Sequence, residues 1–239
     1  MELIKGTISH LKTQRRRQDF VMSPAQHGYM ETTAAGAALM GMGSQAMGLV
    51  NISGNSEEEA DWVEFELDGK PMRGWVWKMP MSDGDQVEVV AESAGQGRYV
   101  VYSIRRPEDS VVATFPHANC GTKALYRRVM KMMIFLFLGI YLILGVIFLH
   151  GLSGDDFTEQ LHILAIGGSL AFLIFFGLFY ISYRKLRGFS LLAEEIFKCY
   201  GWSNVEKINL GKSSRKHRPE NTLERYGLYY FRYNPAEER

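Results

Sequence analysis

The sequence predicts an α+β membrane protein: a small antiparallel β-barrel, a two-helix transmembrane hairpin and a short α/β tail. Three observations carry that prediction. Short runs of alternating apolar and polar residues, separated by Gly-rich turns, recur through residues 1–118. Two long uncharged apolar runs occupy 132–149 and 163–183, inside a hairpin region of 119–188. The remainder, 189–239, mixes helical spacing with a strand-like aromatic run. The chain has 239 residues, a net charge of +1 and a mean hydropathy of -0.12. That near-neutral hydropathy excludes a polytopic transporter. The charge argues against a nucleic-acid footprint spread over the whole chain.

The barrel strands follow from period-2 patterning. Residues 2–13 alternate as a strand does, with Leu3, Gly6, Ile8 and Leu11 as its markers. In DWVEFELDGKPMRGWVWKM, Val63, Phe65 and Leu67 alternate with Glu64, Glu66 and Asp68. Asp68-Gly69 then marks a two-residue hairpin turn. The returning strand carries Trp75 and Trp77 on one face, which makes them the candidates for a binding face. PMSDGD is a turn, QVEVVA a strand, residues 95–97 another turn, RYVVYSI a returning strand and VVATF one more.

Between the first and second strand regions lies an Ala/Gly/Met-rich insertion, 32–56, which opens TTAAGAALMGMGSQAMGLV. Gly36, Gly41, Gly43 and Gly48 each weaken a helix by about 1 kcal/mol relative to Ala. A full span there would also put the first strand on the wrong side of the membrane from the others. The expectation is a marginally helical loop. Its sharper reading is a segment that inserts conditionally into lipid, with Gly36, Gly41 and Gly48 as the packing residues.

MMIFLFLGIYLILGVIFL and ILAIGGSLAFLIFFGLFYISY lack charge and lack the polar stripe of a soluble helix. At about 1.5 Å per residue each crosses a bilayer core. Lys123, Arg127, Arg128 and Lys131 precede the first; Arg184, Lys185 and Arg187 follow the second; the loop HGLSGDDFTEQLH has no Lys or Arg. The positive-inside rule then puts both termini in the cytoplasm. Gly139 and Gly145, with Ala165, Gly168 and Ser169 opposite, offer small surfaces for close helix approach. The loop residues His150, Asp155, Asp156, Glu159 and His162 match no metal-ligand spacing, so neither metal nor cofactor is expected.

After the spans, LLAEEIFKCY reads as a short amphipathic helix ended by Gly201, KSSRKHR as a basic turn with some attraction for anionic lipid, and GLYYFRY as a strand. Cys120 and Cys199 lie far apart without CxxC spacing and read as reduced thiols. The amino terminus shows no apolar run after its first positive charge, so no cleaved leader is expected. No nucleophile, base or carboxylate pair forms a catalytic pattern, and the chain is read as no enzyme.

The order of a Gly-bearing strand, a DGKP hairpin, DGDQVEVVAE and a closing YVVYSI resembles an OB-like barrel. Some such barrels bind single-stranded nucleic acid on exposed aromatics, here Trp75, Trp77, Tyr99 and Tyr102. The acidic run at 57–68 argues against a nucleic-acid groove, so no nucleic-acid partner is expected. Three longer blocks, MELIKGTISHLKTQRRRQDFV, VEFELDGKPMRGWVWKMPMSDGDQVEVVAE and RPEDSVVATFPHANCGTKALYRRV, resemble a bacterial family of type VI secretion system effectors. The resemblance spans the whole chain and carries no catalytic signature. It implies a Gram-negative source and a role in contact-dependent competition at the inner membrane. As an effector, the hairpin would permeabilise a target membrane, which requires a homo-oligomer because neither span carries a charge. The alternative is an inner-membrane immunity or accessory protein that presents the barrel to a protein partner, either a secretion component or the cognate toxin or immunity protein. The resemblance puts the effector first; the charge pattern alone puts the anchored module first.

Overall fold

The computed structural model describes residues 1–18, 58–95, 97–151, 157–216 and 226–237. The insertion, with Gly36, Gly41 and Gly48, and the loop residues Asp155 and Asp156 lie outside them. The described chain runs β1 (Glu2–Gln18), β2 (Glu58–Leu67), β3 (Lys70–Val76), β4 (Gln86–Ser93), β5 (Tyr99–Arg106), β6 (Val111–Thr114), α1 (Thr122–Gly151), α2 (Phe157–Cys199), a 3-10 turn (Val205–Lys207), α3 (Leu210–Lys216) and β7 (Phe231–Arg232).

The strands lie in the order β3-β2-β1-β4-β5-β6-β7, and β3 also pairs with β5. That pairing closes β1–β5 into a five-stranded barrel. β1 is long enough to serve both halves. Its first part, from Glu2 to Thr7, pairs with β4, and its second, from Ile8 to Gln18, with β2. The register shifts between Ser9 and Lys12, where His10 has φ 55. Such a bulge bends a strand, as a barrel wall requires. The turn before β4 is pinned to this bend: the Leu11 amide donates to Asp83 Oδ1 at 2.8 Å and the Gly84 amide to the Ile8 carbonyl at 2.8 Å. Asp68 and Gly69, at φ 48 and 79, make the expected tight turn with both central residues left-handed.

β1 runs five residues past the sequence expectation. The run TQRRR at 13–17 continues the strand because two of its arginines have acidic partners across the ladder. Arg15 faces Asp61 and Arg17 faces Glu59. Arg15 Nη1 lies 2.8 Å from Asp61 Oδ1, and Arg17 Nε 3.4 Å from Glu59 Oε1. Opposite charges directly across a ladder stabilise it by a few tenths of a kcal/mol, about 0.2–1 each.

Val63, Phe65 and Leu67 of β2 point inward with Met72 and Val76 of β3, Val87 and Val89 of β4, and Val101 and Ile104 of β5. On β5 the alternation fails: Val101 through Ile104 are all buried. The outer face there is covered by the C-terminal part. The Tyr200 hydroxyl lies 3.0 Å from Ser103 Oγ, which itself donates to the Ala113 carbonyl at 2.9 Å. β7 pairs with β6 through Arg232 and Phe231. Residues 187–239, which contain the 189–239 segment read from sequence as separate, share one compact unit with 1–124.

The second unit, residues 125–186, is the helix pair. Thr122–Val146 and Ala165–Cys199 are long and apolar enough to cross a membrane. Only 6% and 11% of their most apolar stretches are buried, whereas a soluble core helix is buried through most of its length. The pair is antiparallel. Tyr126 meets Phe179 and Tyr183, Phe137 meets Phe172 and Phe175, and Tyr141 meets Gly168. The contact residues on α2 recur at spacings of four, three, four and four, one face of a helix. Of the small residues expected at this contact, Gly139 and Gly145 meet nothing within 4 Å; Gly168 does.

Two expectations for the tail are corrected. LLAEEIFKCY is no separate helix but the end of α2, which runs unbroken for 43 residues. No proline intervenes, and Gly188 alone costs only about 1 kcal/mol. The helix does end at Gly201, φ 72, with the Trp202 amide returning to the Phe197 carbonyl and the Gly201 amide to Lys198. KSSRKHR begins as α3 through Lys216 rather than as a turn. Leu210, Ser213 and Ser214 are buried on its inner face, and Ser214 Oγ accepts the Arg232 amide of β7.

Candidate functional site

The outward face of β2 and β3 is where the sequence placed a binding surface. Period-2 geometry turns Met72, Gly74 and Val76 inward and Arg73 and Trp75 outward, with Trp77 continuing that face just past the strand. Both tryptophans are half-buried, but they stand in different company. Trp75 lies directly across from Trp62 in the β2–β3 register, edge-on at 5.1 Å between ring centroids. The Trp62 indole donates to Glu64 Oε1 at 2.9 Å. This pair faces out beside a shallow groove of about 290 Å³ whose walls include His10, Lys12, Glu66, Arg73 and Arg98. His10 lies 3.4 Å from Glu66 there. Trp62 was not singled out from sequence, although its signal is plain: it alternates outward with Glu64 and Glu66 in the same run.

Trp77 instead sits where barrel and C-terminal segment join. Its ring is 5.0 Å from His117 and 5.2 Å from Tyr229. His117 continues the contact to Phe189 at 5.2 Å, and its Nε2 lies 2.7 Å from Glu58 Oε2. Arg15 stacks over Tyr229 at 5.7 Å and donates to the Trp77 carbonyl at 3.2 Å. Asp61, 5% exposed, anchors this corner by accepting from Arg15 and from the Met79 amide at 2.9 Å. An aromatic ring so enclosed joins two parts of the fold. Of the other aromatics weighed on sequence, Tyr102 is 2% exposed and belongs to the interior.

The barrel wall carries a second charged cluster. Glu88 on β4 lies between Lys5 on β1 and Arg105 on β5, 2.9 Å from each. Burial pushes the Glu88 carboxyl up, but hydrogen bonds from Lys5 and Arg105 and their charges outweigh it and hold the carboxyl below its usual range. Asp109 is likewise lowered: burial opposes, and the Arg106 guanidinium and the Val111 amide prevail. The Tyr200 hydroxyl is pushed up by its burial. For carboxylates with depressed folded pKa values, the stabilisation is present above the ordinary values of 4.5 and 3.8. It is lost as pH falls through the folded values. Urea midpoints should therefore hold level from pH 7 to about 5 and fall below about 4.5. Glu88→Gln should lower the midpoint at pH 7 and flatten that fall; an unchanged slope would remove Glu88 from the account.

Among the described residues, no group of three or more His, Cys, Asp or Glu side chains is placed to hold a metal ion. Cys120 and Cys199 are free thiols, and Cys120 is buried with its sulfur 3.9 Å from Ser190 Oγ. What the described site offers is surface: an aromatic pair, a groove of mixed charge, and a rigid wall behind them. Comparison with family models, with curated proteins and with solved structures returns no match for this chain.

Proposed function

We propose that this chain is a non-enzymatic, membrane-anchored binding module that presents an OB-like barrel to a protein partner on the cytoplasmic side of a bacterial inner membrane. The observation that carries the reading is connectivity. The strands before the apolar helix pair and the segment after it belong to one compact unit, joined by β6–β7 pairing. A hairpin that leaves one folded unit and returns to it anchors that unit on a single side of a bilayer. Lys123, Arg127, Arg128, Arg184, Lys185 and Arg187 flank that hairpin and favour the cytoplasmic side.

The OB-like assignment rests on strands closing in the order 1-2-3-5-4-1, with β3 and β5 parallel. In such barrels the face of strands two and three, with its neighbouring loops, is the usual binding surface. Here that face holds Trp62, Trp75 and the mixed-charge groove. Within secretion-linked competition, this favours the immunity or accessory role over the pore-forming effector. The seam between the helices is filled with aromatic rings, and the outward positions are large apolar residues such as Phe135, Leu142 and Ile166. Neither 132–146 nor 165–183 carries a charged residue.

The test is expression of the full chain with a fluorescent protein fused to either terminus, read together with membrane potential. The expected result is membrane-bound fluorescence from both fusions in polarised, growing cells. Protein recovered in the soluble fraction, or a dark terminal fusion with an active alkaline phosphatase in its place, would end the anchoring reading. Rapid depolarisation would end the binding-module reading in favour of the effector.

A further inference from the structure

The apolar helix pair carries its cations at one end only. The Tyr126 ring of α1 meets Phe179 and Tyr183 of α2 edge-on, at 5.6 and 5.7 Å between centroids. Residues 126–131 and 179–185 therefore lie at the same level of the pair. That level holds Arg127, Arg128 and Lys131 on α1 with Arg184 and Lys185 on α2. All five belong to the second unit; the three arginines and Lys131 are exposed and Lys185 is partly so. No Asp or Glu occurs in 125–151 or in 160–193. Lys123, just before them, is paired with Glu206 at 3.1 Å, but among the described residues none of the five has an acidic partner. Like charges gathered at one level repel each other, and anions placed among them remove that cost.

Two further observations say which anion. The first is depth. Lys131 immediately precedes the uncharged run 132–149, and Arg184 immediately follows the run 163–183. In a bilayer the ends of such runs lie at the headgroup layer, where the lipid phosphates are. The second is the aromatic setting. Tyr126, Tyr180 and Tyr183 stand among the cations, as tyrosines do at a membrane–water interface. The Arg184 guanidinium lies over the Tyr180 ring, 5.7 Å from its centroid. A guanidinium so held keeps its N–H donors, which lie in its own plane, for another acceptor. Its fork matches two oxygens of a phosphodiester. An acidic protein segment matches the charge, but it must enter the headgroup layer to reach Lys131 and Arg184.

We propose that Arg127, Arg128 and Arg184, aided by Lys131 and Lys185, bind the phosphate headgroups of anionic phospholipids, so that the anchor selects its lipid. The proposal rests on the anchoring reading and adds a preference that spanning alone does not require. The apolar runs by themselves would cross a neutral bilayer equally well.

The experiment uses the full chain in a neutral detergent. Phosphatidylglycerol and phosphatidylcholine with matched acyl chains are added in equal amounts, and the lipids retained on the intact protein are counted by native mass spectrometry. The expected result is retention of phosphatidylglycerol over phosphatidylcholine by about tenfold or more, falling as salt is raised in the binding step. R127Q/R128Q/R184Q should retain both lipids alike. R127K/R128K/R184K should keep part of the preference, since the charge remains and the fork is lost. The three arginines are exposed, so their replacement removes no core packing. K70Q/K207Q/K212Q removes the same charge from exposed positions on the first unit and should behave as wild type. An equal loss in the two glutamine variants would overturn the proposal. Wild type without a preference would also overturn it and leave the cluster to an acidic protein. Carbonate washing of cell membranes keeps the two readings apart. Protein that stays in the washed membrane yet shows no lipid preference ends this proposal alone; protein released by the wash ends the anchoring reading with it.

Discussion

Gly74→Val is expected to open the barrel. Gly74 sits on β3 opposite Val101 of β5, in the short parallel pairing that closes the five strands. A β-carbon built on Gly74 would press into the Val101 carbonyl oxygen, closer than any real pair of such atoms lies. The obstacle is backbone, so no rotamer change relieves it. Two effects oppose each other here. Replacing glycine inside a strand gains up to about 1 kcal/mol from reduced freedom of the unfolded chain and better strand propensity. Overpacking a site that cannot yield costs about 1–3 kcal/mol for each added group and more when the backbone must shift. The second wins, so Gly74→Ala should lose about 2 kcal/mol, and Gly74→Val should lose the β3–β5 pairing outright. Trp62, Trp75 and Trp77 all lie in or beside this region and report it by fluorescence during urea unfolding. Val101→Ala should not rescue the variant, since the carbonyl remains. A Gly74→Val protein with the wild-type midpoint would mean that the parallel seam does not hold the barrel together.

That seam also marks where reading from sequence ran out. β2 and β3 were legible because Val63, Phe65 and Leu67 alternate with acids and Asp68-Gly69 permits only a tight turn. Their burial follows that pattern residue by residue. A barrel was expected from the order of the strands, but which strands close it was not legible, since three parallel residue pairs between β3 and β5 leave no periodic trace. The burial of Tyr102 and Ser103 on the outer side of β5 was hidden for a related reason. Their cover comes from Tyr200 and its neighbours, about a hundred residues later. Two element ends were read short. The first strand was read only over residues 2–13, because the acids that Arg15 and Arg17 face, Asp61 and Glu59, are visible only once β2 is laid alongside. Arg184, Lys185 and Arg187 were read as charges flanking the span, with a separate helix after them, yet α2 runs through them because Lys and Arg are good helix formers. At the site, Trp75 and Trp77 were read correctly as sharing a face. What separated an open pair with Trp62 from a ring enclosed by His117 and Tyr229 was the docking of the tail.

In the helix pair, Gly168→Leu is expected to cost more than any other single change among its described glycines. A β-carbon at Gly168 would overlap the ring and hydroxyl of Tyr141. Tyr141 cannot swing aside freely, because its ring packs on Phe137 at 5.2 Å, and Phe137 is held in turn by Phe172 and Phe175. For a helix pair in lipid, as proposed above, no hydrophobic gain drives the helices together, and close packing at such points carries much of the association. Separating them by the width of a side chain therefore loses neighbouring ring contacts as well, about 1–3 kcal/mol in all. Gly139→Ala supplies the contrast. It faces open space, so alanine there should be neutral or should strengthen α1 by up to about 1 kcal/mol through helix propensity. Unfolding of the full chain in mixed micelles of mild detergent and dodecyl sulfate would read both. Gly168→Leu should shift the transition to lower dodecyl sulfate. Adding Tyr141→Ala should restore part of the loss, since the leucine then fills the space the ring leaves. Equal transitions for Gly168→Leu and Gly139→Ala would mean that the Tyr141–Gly168 contact does not set the spacing of the two helices.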